Sequence, residues 1–219
     1  MNFYNKLADT PLFQGLTNSE LMQIIGQTKF SFHKYAAEKT IRNEGEPCES
    51  MAFLIDGTAK IISFADDHGF SVEETILAPY IIQPERLFGL TQRYTHKFMA
   101  VTQCDIMELC KNDIMRLSDE FIIFRMNLMN VISTMSQKVE RNLWKPMPND
   151  TRGRLNRFFK SHCTTPTGEK TVRIKMTRLA QETGIGRLAV SKELNEMAEL
   201  GFLEFSRGII SIKAIEKLQ

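Results

Sequence analysis

Four histidines, four cysteines and 26 acidic side chains are the raw material for catalysis in this 219-residue chain, and their spacing supports none. His33, His68, His96 and His162 stand singly, without the HxH and later Glu and His that would bring three imidazoles and a carboxylate to one ion. Each reads as a surface or packing histidine. Cys48, Cys104, Cys110 and Cys163 form no CxxC and no cluster, so the thiols read as buried or idle in a reducing compartment. No nucleophile–base pair and no phosphate loop stands out. The chain is read as a non-enzyme, with no catalytic residue, metal site or cofactor. What remains is cationic: Arg178, Arg187, Lys192 and Arg207, whose N–H groups can donate to phosphate oxygens or to the O6 and N7 acceptors of guanine.

The elements that must position those cations follow one another in a telling order. RLAQET from Arg178 reads as a helix with Thr177 as its cap, and Gly184-Ile185-Gly186 is a turn. RLAVSKELNEMAELG from Arg187 is a second helix with Leu188 or Ala189, Val190, Leu194, Met197 and Leu200 on its apolar face. Gly201 stops it, and GFLEF and IISIK flank the Arg207-Gly208 turn. Helix, three-residue turn, amphipathic helix, glycine stop and hairpin make a winged helix-turn-helix. Upstream, Pro146-Met147-Pro148 breaks the chain and Asn149 or Asp150 caps TRGRLNRFFKSH, with Leu155, Phe158 and Phe159 inward. The turn-rich CTTPTGEK and the strand TVRIKM come next. From residue 145 onward there are 14 Lys and Arg against 8 Asp and Glu, whereas residues 1–144 carry 14 against 18. A basic module attached to an acidic one suits a polyanion-binding head. A winged helix that contacts only protein is the alternative, and the basic balance argues against it.

The first half is built differently. Thr17-Asn18-Ser19-Glu20 has capping-box spacing and opens a helix over Asn18–Thr28. From Lys29 to Leu109 the pattern is short strands punctuated by Gly45, Gly57, Gly69 and Gly89, which predicts an all-β sandwich or jelly roll. No apolar run approaches the roughly 18 residues of a membrane span, and the N-terminus has no basic-then-apolar leader, so a cytoplasmic protein without membrane partners is expected.

The stretch KTIRNEGEPCESMAFLIDGTAKI resembles the opening of the cyclic-nucleotide-binding domain, with Gly45 and Gly57 at its turn positions. Together with the winged helix-turn-helix, the chain resembles the Crp/Fnr superfamily of bacterial transcription regulators over nearly its full length. The resemblance implies an α+β protein: an N-terminal double-stranded β-roll (jelly roll), a long central dimerisation helix and a C-terminal winged helix-turn-helix. In that family Gly-Glu-Leu and a later Arg-Ser hold the cyclic phosphate and the ribose. Aligned back from DIMELC without gaps, Gln83-Pro84-Glu85 falls at the first motif and Tyr94-Thr95 at the second. Gln83 has a Cβ where glycine admits phosphate, Pro84 has neither N–H nor carboxylate, and Tyr94 has no cationic charge. Cyclic AMP is therefore not expected to bind. A register slip would bring Glu85 and Arg93 into play, and another small-molecule effector in the same cavity would meet Gln83, Tyr94 and Thr95; a collapsed pocket filled by Phe88, Tyr94 and Met99 is the plainer alternative. An iron–sulfur sensor, found in some relatives, would need clustered N-terminal cysteines that are missing here.

By position in the same family, Arg187, Leu188 and Lys192 stand where base edges or phosphates are read. Leu188 replaces the usual glutamate and offers only apolar contact, for instance to a thymine methyl. Thr177, Arg178, Ser191 and Arg207 are candidate phosphate contacts, and Lys192 could instead pair with Glu196 at i, i+4. Between the modules, Ser118–Trp144 lacks Gly and Pro and reads as one helix of about 39 Å. Ser118 would cap it, Asp119 and Glu120 would occupy its first turn, and Lys145-Pro146 would close it. Phe121, Phe124, Leu128, Val131 and Met135 follow a coiled-coil seam and are the predicted dimerisation residues, while Ile122, Ile123, Met126, Met129 and Ile132 form a second apolar face. The domains expected are residues 1–117 as effector roll, 118–144 as dimerising helix and 145–219 as DNA-binding head. The expected partners are double-stranded DNA with a near-palindromic operator, a second copy of the chain, and RNA polymerase, which some relatives contact through the loop that TTPTGEK occupies. The reading from another class is a small-molecule-binding or adaptor protein whose winged helix meets protein.

Overall fold

The computed structural model describes residues 3–144 and 146–218, with the side chains of residues 139–143 outside the description. The chain is α+β and divides into two compact units. One takes the chain up to Ala59 together with Ile76–Leu143, and the other takes Lys60–Thr75 together with the chain from Trp144 onward.

In the first unit, helices α1 (Phe3–Asp9) and α2 (Asn18–Gln27) precede the strands. The expected capping box is present: Thr17 accepts from the Glu20 amide, and Glu20 reaches back to the Thr17 amide at 2.7 Å. Strands β1 (Ser31–Tyr35), β2 (Thr40–Arg42) and β3 (Ser50–Asp56) follow, then β4 (Thr58–Phe64) and β5 (Phe70–Leu77), whose residues 60–64 and 70–75 belong to the second unit, and then β6 (Tyr80–Ile82), β7 (Lys97–Ala100) and β8 (Cys104–Cys110). One antiparallel sheet has the order β1-β8-β3-β6, and β2 pairs with β7. Four successive β3 residues, Met51 to Leu54, are buried, as a strand covered on both faces requires. At the β3–β4 turn Gly57 has φ +93°, and a Cβ there would stand 2.3 Å from the Gln103 carbonyl oxygen.

The expected single helix Ser118–Trp144 is two helices, α3 (Lys111–Glu120) and α4 (Ile122–Leu143). Cys110, not Ser118, caps the first; Ser118 lies inside it and donates to the Ile114 carbonyl at 2.7 Å. Phe121 is extended at the junction, which turns its ring into the core, yet its N–H still reaches Leu117 O at 2.9 Å and its carbonyl accepts from Arg125 at 3.1 Å. The break thus costs few backbone hydrogen bonds. Phe121, Phe124 and Leu128 are buried within this unit, with the Phe124 ring 5.3 Å from Phe13, and Asn127 pins α4 to the carbonyls of Leu12 and Gln14 at 3.2 and 2.8 Å. Val131 and Met135 are half-buried, and the outward residues are Ile122, Met126 and Met129. Lys145, expected to help close the helix, lies outside the described residues.

The second unit holds α5 (Thr151–Ser161), β9 (Lys170–Ile174), α6 (Met176–Thr183), α7 (Arg187–Glu199), β10 (Leu203–Ser206) and β11 (Ile209–Ile212). Asp150, one of the two expected caps, accepts from the Gly153 amide at 2.7 Å. Leu155, Phe158 and Phe159 pack with Val190, Leu194 and Met197. The sheet runs β10-β11-β9-β5-β4, with Phe70 opposite Ile174 and Glu74 opposite Lys170. Phe70 and Val72 therefore enter a core otherwise made by residues beyond 154. Glu74 is fully enclosed: its carboxylate takes Lys170 Nζ at 2.9 Å, the Thr164 and Thr165 amides at 2.6 and 2.9 Å, and both threonine hydroxyls at 2.8 and 2.7 Å.

Burial pushes the Glu74 pKa up, but the Thr164 and Thr165 amides and the Lys170 ammonium outweigh it and hold the carboxyl below its ordinary value. Its folded pKa is thus below its unfolded one, so its stabilisation is fully present above the usual carboxylate range and is lost as pH falls through the folded value. Lys170→Met, which strands a buried carboxylate, is expected to cost about 3–5 kcal/mol in urea unfolding at neutral pH. The gap from wild type should narrow on acidification.

Candidate nucleic-acid interface and roll interior

The reading elements are α6, the turn Gly184–Gly186 and α7. Gly184 takes the left-handed conformation at φ +65°, ψ 33°, and the Ile185 amide returns to the Ala180 carbonyl at 3.1 Å. Arg154, on α5, braces this turn: its Nη1 donates to Gly184 O at 3.3 Å and its Nε to Pro148 O at 2.9 Å. Arg152 ties α5 to α7 through Glu193 at 2.5 Å. Neither arginine carries a motif signal in the sequence, because its role depends on helices brought together only by folding.

On α7, Val190, Leu194 and Met197 point inward, leaving Arg187, Leu188 and Lys192 exposed, with Leu188 at 88%. Leu188, Ala189 and Leu200, expected on the apolar face, are exposed; the inward stripe is narrower because the buried positions follow strict three- and four-residue steps from Val190. Ser191 is half-buried and its carbonyl accepts from Asn195 at 2.8 Å. The Lys192 ammonium stands 3.8 Å from Glu196, an exposed pair worth little. At the wing, Arg207 (φ +36°) and Gly208 (φ +85°) make a two-residue hairpin turn with the arginine exposed.

Lys175, not Thr177, is the N-cap of α6; Thr177 lies exposed in the first turn. Arg178 is engaged elsewhere. Its guanidinium pairs with Asp67 at 2.7 Å and Glu182 at 2.7 Å and lies 6.0 Å from the Phe70 ring centroid. These groups line an open cleft of about 530 Å³ with Ser63, Phe64 and His162.

In the roll, Tyr94 is 2% exposed. Its hydroxyl accepts from Arg42 Nε at 3.4 Å and donates to Ser50 O at 3.5 Å, and burial raises its pKa above the phenol range. Arg42 is itself buried and paired with Glu108, which also accepts from Ser50 Oγ at 2.5 Å. Gln83 is buried, with its amide on Thr95 and His96. Glu85 lies beside Arg86 at 3.7 Å, and Arg93 is exposed and donates to Gly45 O at 2.7 Å. The structure therefore brings Gln83, Glu85 and Thr95 together, sets Tyr94 with Arg42 and Glu108, and turns Arg93 onto the Gly45 turn. Phe88 and Met99 are only half-buried. Burial raises the pKa of Cys48 and Cys104, and with the Glu74 charge nearby it pushes the Cys163 thiol up to about 12, so these thiols stay protonated at neutral pH.

Among the described residues, no helix is long and apolar enough to cross a membrane, and no group of three or more His, Cys, Asp or Glu could hold a metal ion. Residues 32–121 match the family model of the cyclic nucleotide-binding domain. The fold is similar to that of the Thermus thermophilus catabolite activator protein, at 18% identity over 93% of this chain and 94% of that one, with a TM-score of 0.51. A transcriptional regulator from Thermotoga maritima matches at 17% identity over 57% of this chain and 95% of that one, with a TM-score of 0.50. No curated protein matches the sequence. The resemblance read from the residues holds at the level of architecture: the chain has the fold of the Crp/Fnr transcription regulators, with a cyclic-nucleotide-binding-type roll.

Gly184→Ala is expected to destabilise the second unit by about 1–2 kcal/mol, because an L residue there must hold a left-handed backbone. Gly184→Asn should cost less, and urea unfolding followed by circular dichroism distinguishes the two.

Proposed function

We propose that the chain is a homodimeric, sequence-selective DNA-binding transcription regulator, with a sensor roll, a dimerising helix and a winged reading head. The observation that carries this reading is α7, which presents Arg187, Leu188 and Lys192 to solvent while Val190, Leu194 and Met197 lock its other side. A guanidinium at the start of a helix can donate bidentately to guanine O6 and N7, and Leu188 fits a thymine methyl. Arg207 at the wing tip and Thr177 in the first turn of α6 supply phosphate contacts. Two such heads read half-sites roughly 34 Å apart on a near-palindromic operator. Leu188 in place of an acidic residue gives the operator a different base preference from those of the family's best-known members.

The exposed apolar edge Ile122, Met126 and Met129 is the proposed meeting face for the twin helix, since Phe121, Phe124 and Leu128 are occupied within their own unit. Cyclic AMP plays no part in this reading. Tyr94 and Arg42 fill the roll interior and are satisfied by each other, Ser50 and Glu108.

Fluorescence anisotropy of labelled DNA from the protein's own upstream region, titrated at two salt concentrations with and without cyclic AMP, tests the reading. Tight, selective, salt-sensitive binding indifferent to the nucleotide is expected. Arg187→Ala should cost about 1–3 kcal/mol and relax base preference. Salt-independent binding, or none to any sequence, would favour an adaptor in which exposed Leu188 meets protein. Met126→Glu should lower the mass seen by sedimentation toward one chain and weaken operator binding; an unchanged mass removes this face as the dimer contact.

A further inference from the structure

Gln83 is an unusual residue in an unusual place. It precedes the short 3-10 turn Pro84–Arg86 with φ 39° and ψ 58°, a left-handed conformation that disfavours side chains with a Cβ, and it is 5% exposed. Its carboxamide is nevertheless saturated. Oε1 accepts from the Thr95 amide at 2.9 Å and the His96 amide at 3.3 Å, and Nε2 donates to Thr95 Oγ1 at 2.7 Å and to Glu85 Oε1 at 3.4 Å. The orientation of the amide is fixed by its neighbours: the two backbone N–H groups can only donate, so the oxygen faces them and the NH₂ group faces Thr95 Oγ1 and Glu85.

Those four partners select one chemistry. Two converging amides recognise an oxygen, and a hydroxyl with a carboxylate recognises an NH₂ group. A primary carboxamide satisfies all four. A phosphate or carboxylate would satisfy the two amides but set its charge against Glu85 and bring no hydrogen for it. We infer that the segments 83–86 and 95–96 form a carboxamide site whose built-in occupant is the side chain of Gln83. This internal occupant links the two segments of the roll in place of a diffusible one and closes the site to phosphate-bearing ligands. The inference stands on the roll alone and does not depend on DNA binding.

Gln83→Gly removes the occupant and suits the left-handed backbone. The thermal midpoint of the full chain would be measured for wild type and Gln83→Gly with acetamide, acetate or inorganic phosphate at matched ionic strength. The variant's midpoint is expected to rise by a few degrees with acetamide alone, as a ligand confined to the folded state requires, while the wild type shows no rise. A variant indifferent to acetamide, a rise shared by the wild type, or an equal rise with acetate or phosphate overturns the assignment. Amide hydrogen exchange on the unaltered chain is the second measurement. The Thr95 and His96 amides should exchange slowly without any added ligand, and rapid exchange at both would mean that Gln83 does not hold them.

Discussion

The second unit depends on one non-local pairing, that of β5 with β9. Five registered pairs from Phe70–Ile174 to Glu74–Lys170 join a strand from before residue 76 to β9, β10 and β11, all made after residue 169. Backbone hydrogen bonds alone would not choose this register, since a strand edge accepts many partners. The side chains choose it. Phe70 and Val72 fall on the face that meets Phe158, Leu155 and Leu179, and Glu74 falls opposite Lys170. A slip of one residue would turn Phe70, Val72 and Glu74 together to the other face and leave Lys170 an isolated charge in a dry interior. The buried ion pair thus acts less as net stabilisation than as a register pin, while the threonine donors of the 164–165 loop fill the remaining carboxylate lone pairs.

The same logic bears on how the candidate interface stays available. A recognition surface needs side chains that fold-internal partners have not taken, and α7 provides them because its inward stripe is narrow and α5 supplies its support. Arg152 takes Glu193, and Arg154 takes the Gly184 carbonyl, so the cations spent on structure come from α5 and not from the exposed face of α7. Arg178 belongs with the structural group. Its charge is matched by Asp67 and Glu182, and its reach toward any outside anion competes with two carboxylates already at 2.7 Å. Arg187 and Lys192 carry the weight of the DNA-binding proposal instead.

What could be read in the sequence was what is local. The Thr17–Glu20 capping box, the Asp150 cap, the turn at Gly184 and the two wing strands are each fixed by a few neighbouring residues, and each stands where the spacing put it. The inward Val190, Leu194 and Met197 were legible for the same reason, whereas Leu188, placed by the same spacing among the apolar candidates, stands exposed. The break at Phe121 was not. It needs no glycine or proline, because one extended residue keeps its N–H on Leu117, and what drives it is burial of a ring in a core the local pattern does not show. Which apolar face of α4 turns inward was equally invisible, since Phe124 and Met126 are both apolar and only contact with Phe13 separates them. The origin of β5's partner, 100 residues along the chain, lay beyond any window of periodicity.

The interior of the roll is held by polar groups that satisfy one another. A β-roll encloses space between sheets, and polar groups facing that space must find partners or solvent. Here they find one another. Arg42 is neutralised by Glu108 and held by the Tyr94 hydroxyl; burial works against its charge, but those partners more than restore it. Ser50 closes the chain of hydrogen bonds, its hydroxyl donating to Glu108 and its carbonyl accepting from Tyr94. Each group would have to give up a made hydrogen bond before a ligand could take its place, and a desolvated Glu108 left without Arg42 would carry the penalty of an unpaired buried charge. An interior filled this way behaves as a hydrogen-bonded core, and the strands around it are positioned by the protein's own side chains.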